Sequence, residues 1–128
     1  MNIFKEQINI IKKNNYHFYN PKNIDNYFES PNTEKKVLIT VDDAFSSFYE
    51  YAWPYLKENK IPFILFVSTE PIGKYGYMNW DQIKEVEKEE FAFIGNHSHS
   101  HEYLINYELK DFKKDIDLSI KIFRNELG

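Results

Sequence analysis

The 128-residue sequence contains no cysteine. This absence excludes disulfide bonds, thiolate metal sites and a cysteine nucleophile. Long hydrophobic runs are also lacking, because the longest apolar stretches are VLITV at residues 37–41 and PFILFV at residues 62–67. Both are of strand length, and the amino terminus has no apolar run that would form a signal peptide or a membrane span. We therefore expect an intracellular, cytoplasmic protein without a membrane partner.

Positive charge is not in excess either. Lys and Arg number 16 against 20 Asp and Glu, the formal net charge is −4, and no basic run interleaves with aromatic residues. We therefore expect no nucleic-acid partner. The composition is 42% hydrophobic and 28% charged, which is typical of a globular chain rather than a disordered one. The length predicts a single domain over residues 1–128.

Apolar periodicity predicts alternating helices and strands. Helices are predicted at residues 2–14, 21–29, 45–59 and 107–127, and another begins after Asn79, where Gln82 would complete a capping box. Pro54 should kink the helix at residues 45–59 unless a new helix starts there. Buried strands are predicted at residues 35–41, 62–67 and 91–95. Strands that alternate with helices predict an α/β fold with a parallel sheet and helical crossovers.

Polar residues follow two of the predicted strands. Asp42 and Asp43 come directly after the first strand, and His97 comes shortly after the third. His97, His99 and His101 are three of only four histidines in the chain. Because ligands gather at the carboxyl ends of parallel strands, we expect the carboxylates and the histidines to converge at one end of the sheet.

The convergence of carboxylate and imidazole groups predicts a metal site. His97 and His101 are four residues apart and could reach one divalent ion, such as zinc, from a single turn. One aspartate would be the third ligand, and the other would act as general base toward a water of lowered pKa. Adjacent side chains on an extended strand point in opposite directions, so Asp42 and Asp43 should have different roles. The spacing alone does not decide which aspartate has which role.

The aspartates and His99 also have simpler interpretations. Asp42 and Asp43 could be ordinary loop or helix-capping acids. They could also form a receiver-like acidic pocket, but such a pocket would not need His97 and His101. His99 is predicted to be a loop or packing residue.

The remaining polar and aromatic residues have structural interpretations. His17 is predicted to be structural, and Ser98 and Ser100 are predicted to bond to nearby backbone. Three aromatic residues could either stack on a sugar ring or pack in the core: Tyr75, Tyr77 and Trp80. Packing in the core is the favoured interpretation.

Two motifs, TVDDAF at residues 40–45 and HSHSH at residues 97–101, resemble a known family. They are similar to the T-F-D-D-G and H-S/T-x-S/T-H motifs of the NodB-homology polysaccharide deacetylases, carbohydrate esterases that remove N- or O-acetyl groups from sugars. The segments between them also resemble the helix, strand and loop of that family. The resemblance covers nearly all 128 residues. It implies a parallel-stranded partial (β/α) barrel of the polysaccharide deacetylase type, truncated after about three core strands.

The resemblance also implies specific roles. Asp42 would be the general base, and Asp43, His97 and His101 would bind a divalent metal ion, with zinc expected. It implies no ligand role for His99. An acetylated saccharide would be the substrate of this hydrolase. Two other functions were considered: a hydrolase of the same fold acting on a different amide or ester, and a non-catalytic remnant that binds a metal or a partner.

The sequence departs from the family pattern in two ways. Ala44 stands where the family has glycine, which predicts a slightly altered turn after the aspartates. The later family motifs, an Arg-Pro strand, an acidic motif and a Leu-x-His, are absent. We therefore expect an incomplete domain that lacks its general acid and can self-associate through an exposed sheet edge.

Overall fold

The computed structural model of the protein describes residues 2–24 and 34–128. The strands are β1 (His17–Phe18), β2 (Lys36–Val37), β3 (Ile39–Asp42), β4 (Phe63–Val67) and β5 (Ala92–Asn96). The α-helices are α1 (Asn2–Lys13), α2 (Trp53–Glu58), α3 (Trp80–Glu87) and α4 (Leu109–Glu126). A π-helical turn (Phe48–Ala52) leads into α2, and short 3-10 turns occur at Pro21–Asn23 and Leu104–Asn106.

A three-stranded parallel sheet in the order β3-β4-β5 confirms the predicted sheet. In its register Asp42 lies opposite Phe66, and Phe66 lies opposite Gly95. Both crossovers contain a helix, α2 between β3 and β4 and α3 between β4 and β5. The carboxyl ends of the three strands therefore lie at one edge, as a (β/α) architecture requires.

The prediction of a single strand at residues 35–41 is wrong in one respect. This segment forms two strands, β2 and β3, which belong to different sheets. The extended segment is interrupted at Leu38, and β2 pairs in parallel with β1 instead of joining the larger sheet. Backbone bonds from His17 N to Lys35 O and from Tyr19 N to Val37 O, both 2.8 Å, hold this small sheet. A continuous apolar run shows that a segment is extended but not which neighbour it pairs with. β1 was not predicted, because two residues carry no periodicity.

The first helix and the capping box agree with the predictions. α1 ends one residue earlier than predicted. Gln82 N donates to Asn79 Oδ1 and Asn79 N donates to Gln82 Oε1, each at 2.9 Å, so both groups of the capping box are satisfied. α2 starts anew at Trp53, with Pro54 in its first turn, where no amide donor is needed.

Three predicted helices differ from the structure, and the one predicted at residues 45–59 is a π-helical turn at Phe48–Ala52 followed by α2. The helix predicted at residues 21–29 is a 3-10 turn over Pro21–Asn23, and the remainder of that prediction, residues 25–29, lies outside the described residues. The last helix begins at Leu109, two residues later than predicted, after the 3-10 turn at Leu104–Asn106. Within the described residues, none of the helices has the length and apolar character that a bilayer span requires.

The two faces of the sheet are covered to different extents. The buried side chains of Phe63, Leu65 and Val67 line one face, where Phe63 packs with Trp53 at 5.9 Å between ring centroids. Burying each such side chain contributes roughly 1.5–3 kcal/mol. The opposite face holds Phe66, which is half-buried, and Phe93, which is 43% exposed. The helices therefore cover one face well and leave the other open.

Gly95 is the point of closest approach on the open face. A Cβ at this position would lie 2.5 Å from Cδ1 of Phe66, closer than real side chains come. Glycine therefore allows Phe66 to lie across β5, where its ring centroid is 6.3 Å from that of His97.

Candidate metal centre

Three of the predicted site residues meet at the carboxyl end of the sheet. Asp43 follows the last residue of β3, and His97 follows the last residue of β5. Asp43 Oδ1 lies 2.8 Å from His101 Nε2 and 3.5 Å from His97 Nε2. One ligand atom from each of the three residues lies within 4.8 Å of the other two. The structure thus forms a cluster of Asp43, His97 and His101 that could hold one ion.

The environment of Asp43 fits a cation. Its Oδ1 atom is buried, and no donor among the described residues meets it in hydrogen-bond geometry, although His101 Nε2 is only 2.8 Å away. A buried carboxylate oxygen without a hydrogen bond is costly unless another positive partner satisfies it. The imidazoles of His97 and His101 are 39% and 44% exposed, so an ion between them would remain open to water. Two imidazole nitrogens and one carboxylate oxygen form a donor set that suits zinc.

Unusual backbone conformations surround this cluster. Asp43, Ala44, Ser98 and His101 all have positive φ, at 72°, 53°, 72° and 60°. Each such residue other than glycine costs of order 1–2 kcal/mol and persists only where the surroundings fix it. Ala44 therefore forms the turn in a conformation for which glycine is better suited. Its methyl group is fully buried, and its carbonyl accepts a bond from Met78 N at 2.9 Å.

Backbone bonds extend the β4–β5 pairing into the histidine loop, residues 97–101. His97 N donates to Val67 O at 2.9 Å, and the hydroxyl of Ser68 donates to His97 O at 2.7 Å. Thr69 N then donates to Ser98 O at 3.2 Å. The first part of the histidine loop is thus fixed to the segment that leaves β4.

The two other histidines lie apart from the cluster. His99 Nδ1 is 2.8 Å from the hydroxyl of Thr69, which agrees with the packing role predicted for it. His17 lies in β1, where its amide bonds to Lys35 O. Neither ring belongs to the group of Asp43, His97 and His101.

The serines of the histidine loop bond to nearby backbone, as predicted. Ser98 Oγ accepts from His101 N at 3.3 Å, and Ser100 Oγ accepts from Glu102 N at 3.4 Å. These bonds tighten the turn that carries His101.

Asp115 is a site residue that the sequence reasoning missed. This buried residue of α4 accepts His99 N on Oδ1 at 2.8 Å and Ser100 N on Oδ2 at 3.0 Å. Burial acts to raise the pKa of Asp115, but the bonds from Ser100 and the His99 amide outweigh it and hold the pKa below its usual value. The carboxylate is therefore ionised at neutral pH.

A signal for Asp115 was present in the sequence. It stands at helical spacing from Ser119 and Phe123 and next to Ile116 of the apolar pattern that predicted α4, whereas Phe112 of that pattern is 40% exposed. An acid on a stripe that faces the core needs donors to satisfy it. The donors are amides from a loop distant in sequence, so the pattern could not identify them.

Asp42 lies in different surroundings from Asp43. Its exposed side chain is on the open face of the sheet, beside a depression of about 350 Å³ that Phe4, Phe45 and Tyr51 also line. Asp42 is not one of the three clustered residues. The separation fits the expected difference in roles, while its assignment as general base stays a prediction.

A second depression, of about 510 Å³, borders the cluster itself. Its wall includes His97, His101, Glu102 and Tyr103, and the Tyr103 side chain is 82% exposed. Tyr103 was not singled out from the sequence, because one tyrosine among ten gives no signal.

The aromatic residues singled out from the sequence lie elsewhere. Tyr77 packs on Phe45 at 5.0 Å between ring centroids, and Trp80 contacts Phe123 edge-on at 5.8 Å. Trp80 thus packs against the core, as favoured, whereas Phe45, the partner of Tyr77, is itself 41% exposed. Tyr75 is fully exposed in the loop before α3, so core packing is wrong for this residue.

Comparison with known proteins gives two kinds of match. The family model described as polysaccharide deacetylase matches residues 29–128. Poly-beta-1,6-N-acetyl-D-glucosamine N-deacetylase of Staphylococcus aureus (strain MSSA476) is 32% identical over 93 residues, covering 72% of this chain and 32% of that protein. The chain thus spans about a third of the length of this curated relative.

Solved structures give the same fold. IcaB from Ammonifex degensii superposes with a TM-score of 0.86 at 24% identity, covering 99% of this chain and 61% of that chain. The Streptococcus pyogenes deacetylase PplD in complex with acetate superposes with a TM-score of 0.85 at 22% identity, covering 98% of this chain and 57% of that chain. The predicted fold class is confirmed: the chain folds as part of a deacetylase-type (β/α) barrel.

Proposed function

Because this chain belongs to the polysaccharide deacetylase family, we propose that it forms part of a metal-dependent hydrolase that removes acetyl groups from a saccharide. The observation that carries the proposal is the cluster of Asp43, His97 and His101 at the carboxyl ends of β3 and β5, the two parallel strands on either side of β4. The name of the Staphylococcus aureus relative supports an N-acetylated rather than an O-acetylated substrate.

In this proposal the residues of the chain have distinct roles. Asp43, His97 and His101 hold the ion, which when bound polarises the acetyl carbonyl and lowers the pKa of water. Asp42 accepts a proton from the water that attacks the acetyl carbon. The C–N bond of the acetamide then breaks, releasing acetate and an amine that needs a proton. No residue in the described ranges, 2–24 and 34–128, is assigned as the donor of that proton.

We assign the saccharide to the depression beside the cluster. Tyr103 is exposed on its wall and offers an aromatic face against which a sugar ring can stack. Glu102 lies on the same wall. A carboxylate here would favour a saccharide that carries amines from earlier deacetylation.

An acetate-release assay tests the function. The chain, loaded with zinc, is incubated with an N-acetylated glucosamine oligosaccharide, and free acetate and amine are measured. We expect slow turnover that stops on chelation and returns with zinc, because no described residue is assigned as the general acid and such an acid contributes about 10²–10⁴-fold. Acetate release that is equal with and without zinc would contradict the proposal.

We also propose that the 128-residue chain self-associates through its sheet. Among the described strands β5 pairs only with β4, so its outer edge is available, and Phe93 of this strand is 43% exposed on the open face. Sedimentation should show dimers or larger species that Phe93→Lys reduces. Tyr75→Lys, which changes a fully exposed loop residue, is the matched control. A wild-type chain that stays monomeric at every concentration would contradict the proposed self-association.

A further inference from the structure

Two of the three backbone amides between the clustered histidines share one acceptor group, and the third, Ser98 N, donates to Asn96 Oδ1 at 2.8 Å. Asp115 Oδ1 receives His99 N at 2.8 Å, and Oδ2 receives Ser100 N at 3.0 Å. Consecutive amides that point at one carboxylate form charge-assisted bonds, which are stronger than neutral ones. The carboxylate itself is buried, with 8% of the residue exposed, so water competes little for these bonds.

We propose that Asp115 is a positioning residue for the metal centre, which fixes the backbone between His97 and His101 and so holds both imidazoles toward Asp43. The inference rests on the metal site of the proposed function. It assigns to α4, which lies outside both motifs, an effect on metal affinity that is exerted through the backbone of the histidine loop.

The conformation of the histidine loop explains why it needs this anchor. Ser98 and His101 both have positive φ, which a flexible loop would avoid. The bonds of His97 and Ser98 tie the loop to the segment after β4, and so do the His99 carbonyl, which accepts Glu70 N at 2.9 Å, and the His99 ring. For the amides of His99 and Ser100, the described part of the chain provides Asp115 as acceptor.

The helix itself has other attachments, so Asp115 is not needed merely to dock it. Asn96 Nδ2 donates to Ser119 Oγ at 2.8 Å, and Lys84 pairs with Glu126 at 2.8 Å. Phe123 packs against Trp80. Loss of the Asp115 carboxylate should therefore loosen the histidine loop while α4 stays in place.

The test compares Asp115→Asn with Asp117→Asn, an exposed acid on the same helix. An asparagine side chain keeps the shape but presents an NH₂ donor to one of the two amides, which cannot accept it. We expect Asp115→Asn to weaken zinc binding by about 10–100-fold in calorimetry, the range typical when a group that orients metal ligands is lost. Asp117→Asn should bind as the wild type does.

Amide hydrogen exchange of the zinc-free chain gives a readout independent of metal. Asp115→Asn should speed exchange at His99 and Ser100 and leave the β4 amides protected. If Asp115→Asn unfolds the chain, Asp115→Glu takes its place. It keeps the charge on a longer side chain and should show the same selective loosening and weaker zinc binding.

The outcomes separate this inference from the proposed function. A folded Asp115→Asn or Asp115→Glu variant that binds zinc as tightly as the wild type would overturn the positioning role and leave the proposed function intact. Unchanged exchange at His99 and Ser100 would overturn it as well. A wild-type chain that binds no zinc would overturn the proposed metal site, and the inference with it.

Discussion

Replacing His101 with alanine should reduce the affinity for zinc by more than about a hundredfold, because the loss of a direct ligand exceeds the 10–100-fold effect of losing a residue that only orients one. His101 Nε2 is the imidazole nitrogen nearest to Asp43 Oδ1, at 2.8 Å. Without it, two protein ligands would remain, one fewer than the three that typically hold zinc in a catalytic site. Calorimetric titration with zinc measures the change.

His99→Ala is the matched control for this experiment. His99 lies two residues before His101 in the same loop, but its ring bonds to Thr69 instead of facing the cluster. Zinc affinity should therefore change little. Equal losses from His101→Ala and His99→Ala would mean that the histidine loop binds the ion in another way, and the ligand assignment would be wrong.

Asp42→Asn and Asp43→Asn should both lower hydrolysis, but only Asp43→Asn should also remove zinc binding. Asp43→Asn replaces a proposed ligand by a neutral amide, so zinc binding and hydrolysis should both be lost. Asp42→Asn should leave zinc bound and lower deacetylation by about 10²–10⁴-fold, the usual contribution of a general base. Zinc binding is measured by calorimetry, and hydrolysis by acetate release from the same zinc-loaded chain.

The two aspartates are suitable for this comparison because they are adjacent and equal in size. Asp42 is exposed on the open face of the sheet, whereas Asp43 has a buried oxygen in the cluster. If Asp42→Asn released zinc as readily as Asp43→Asn, the roles would be shared or exchanged.

The larger features of the fold could be predicted because they follow from repeated local patterns. β4 is a continuous apolar run, so its burial was evident, and its pairing with β3 and β5 follows from helical crossovers. The convergence of Asp43 with His97 could be predicted because both follow strands of one parallel sheet, although β4 lies between β3 and β5 and the two strands are not direct neighbours.

Other features depend on contacts between distant residues, and no local pattern indicates these contacts. The interruption between β2 and β3 at Leu38 depends on pairing with β1, a two-residue strand that is too short to show a sequence pattern. The bonds from Asp115 to the histidine loop join residues 15 and 16 positions apart through the turn before α4. The place of Tyr103 beside the cluster depends on the conformation of the loop after His101.

The chain has only four histidines, so nuclear magnetic resonance of their ring nitrogens during a zinc titration tests the metal centre most directly. We predict saturation at one zinc per chain. One ring nitrogen each of His97 and His101 should move to the chemical shift of a metal-bound nitrogen. The ring nitrogens of His17 and His99 should keep the chemical shifts that they have without zinc. A metal-bound nitrogen on His99, or zinc that saturates without binding either His97 or His101, would contradict the site described here.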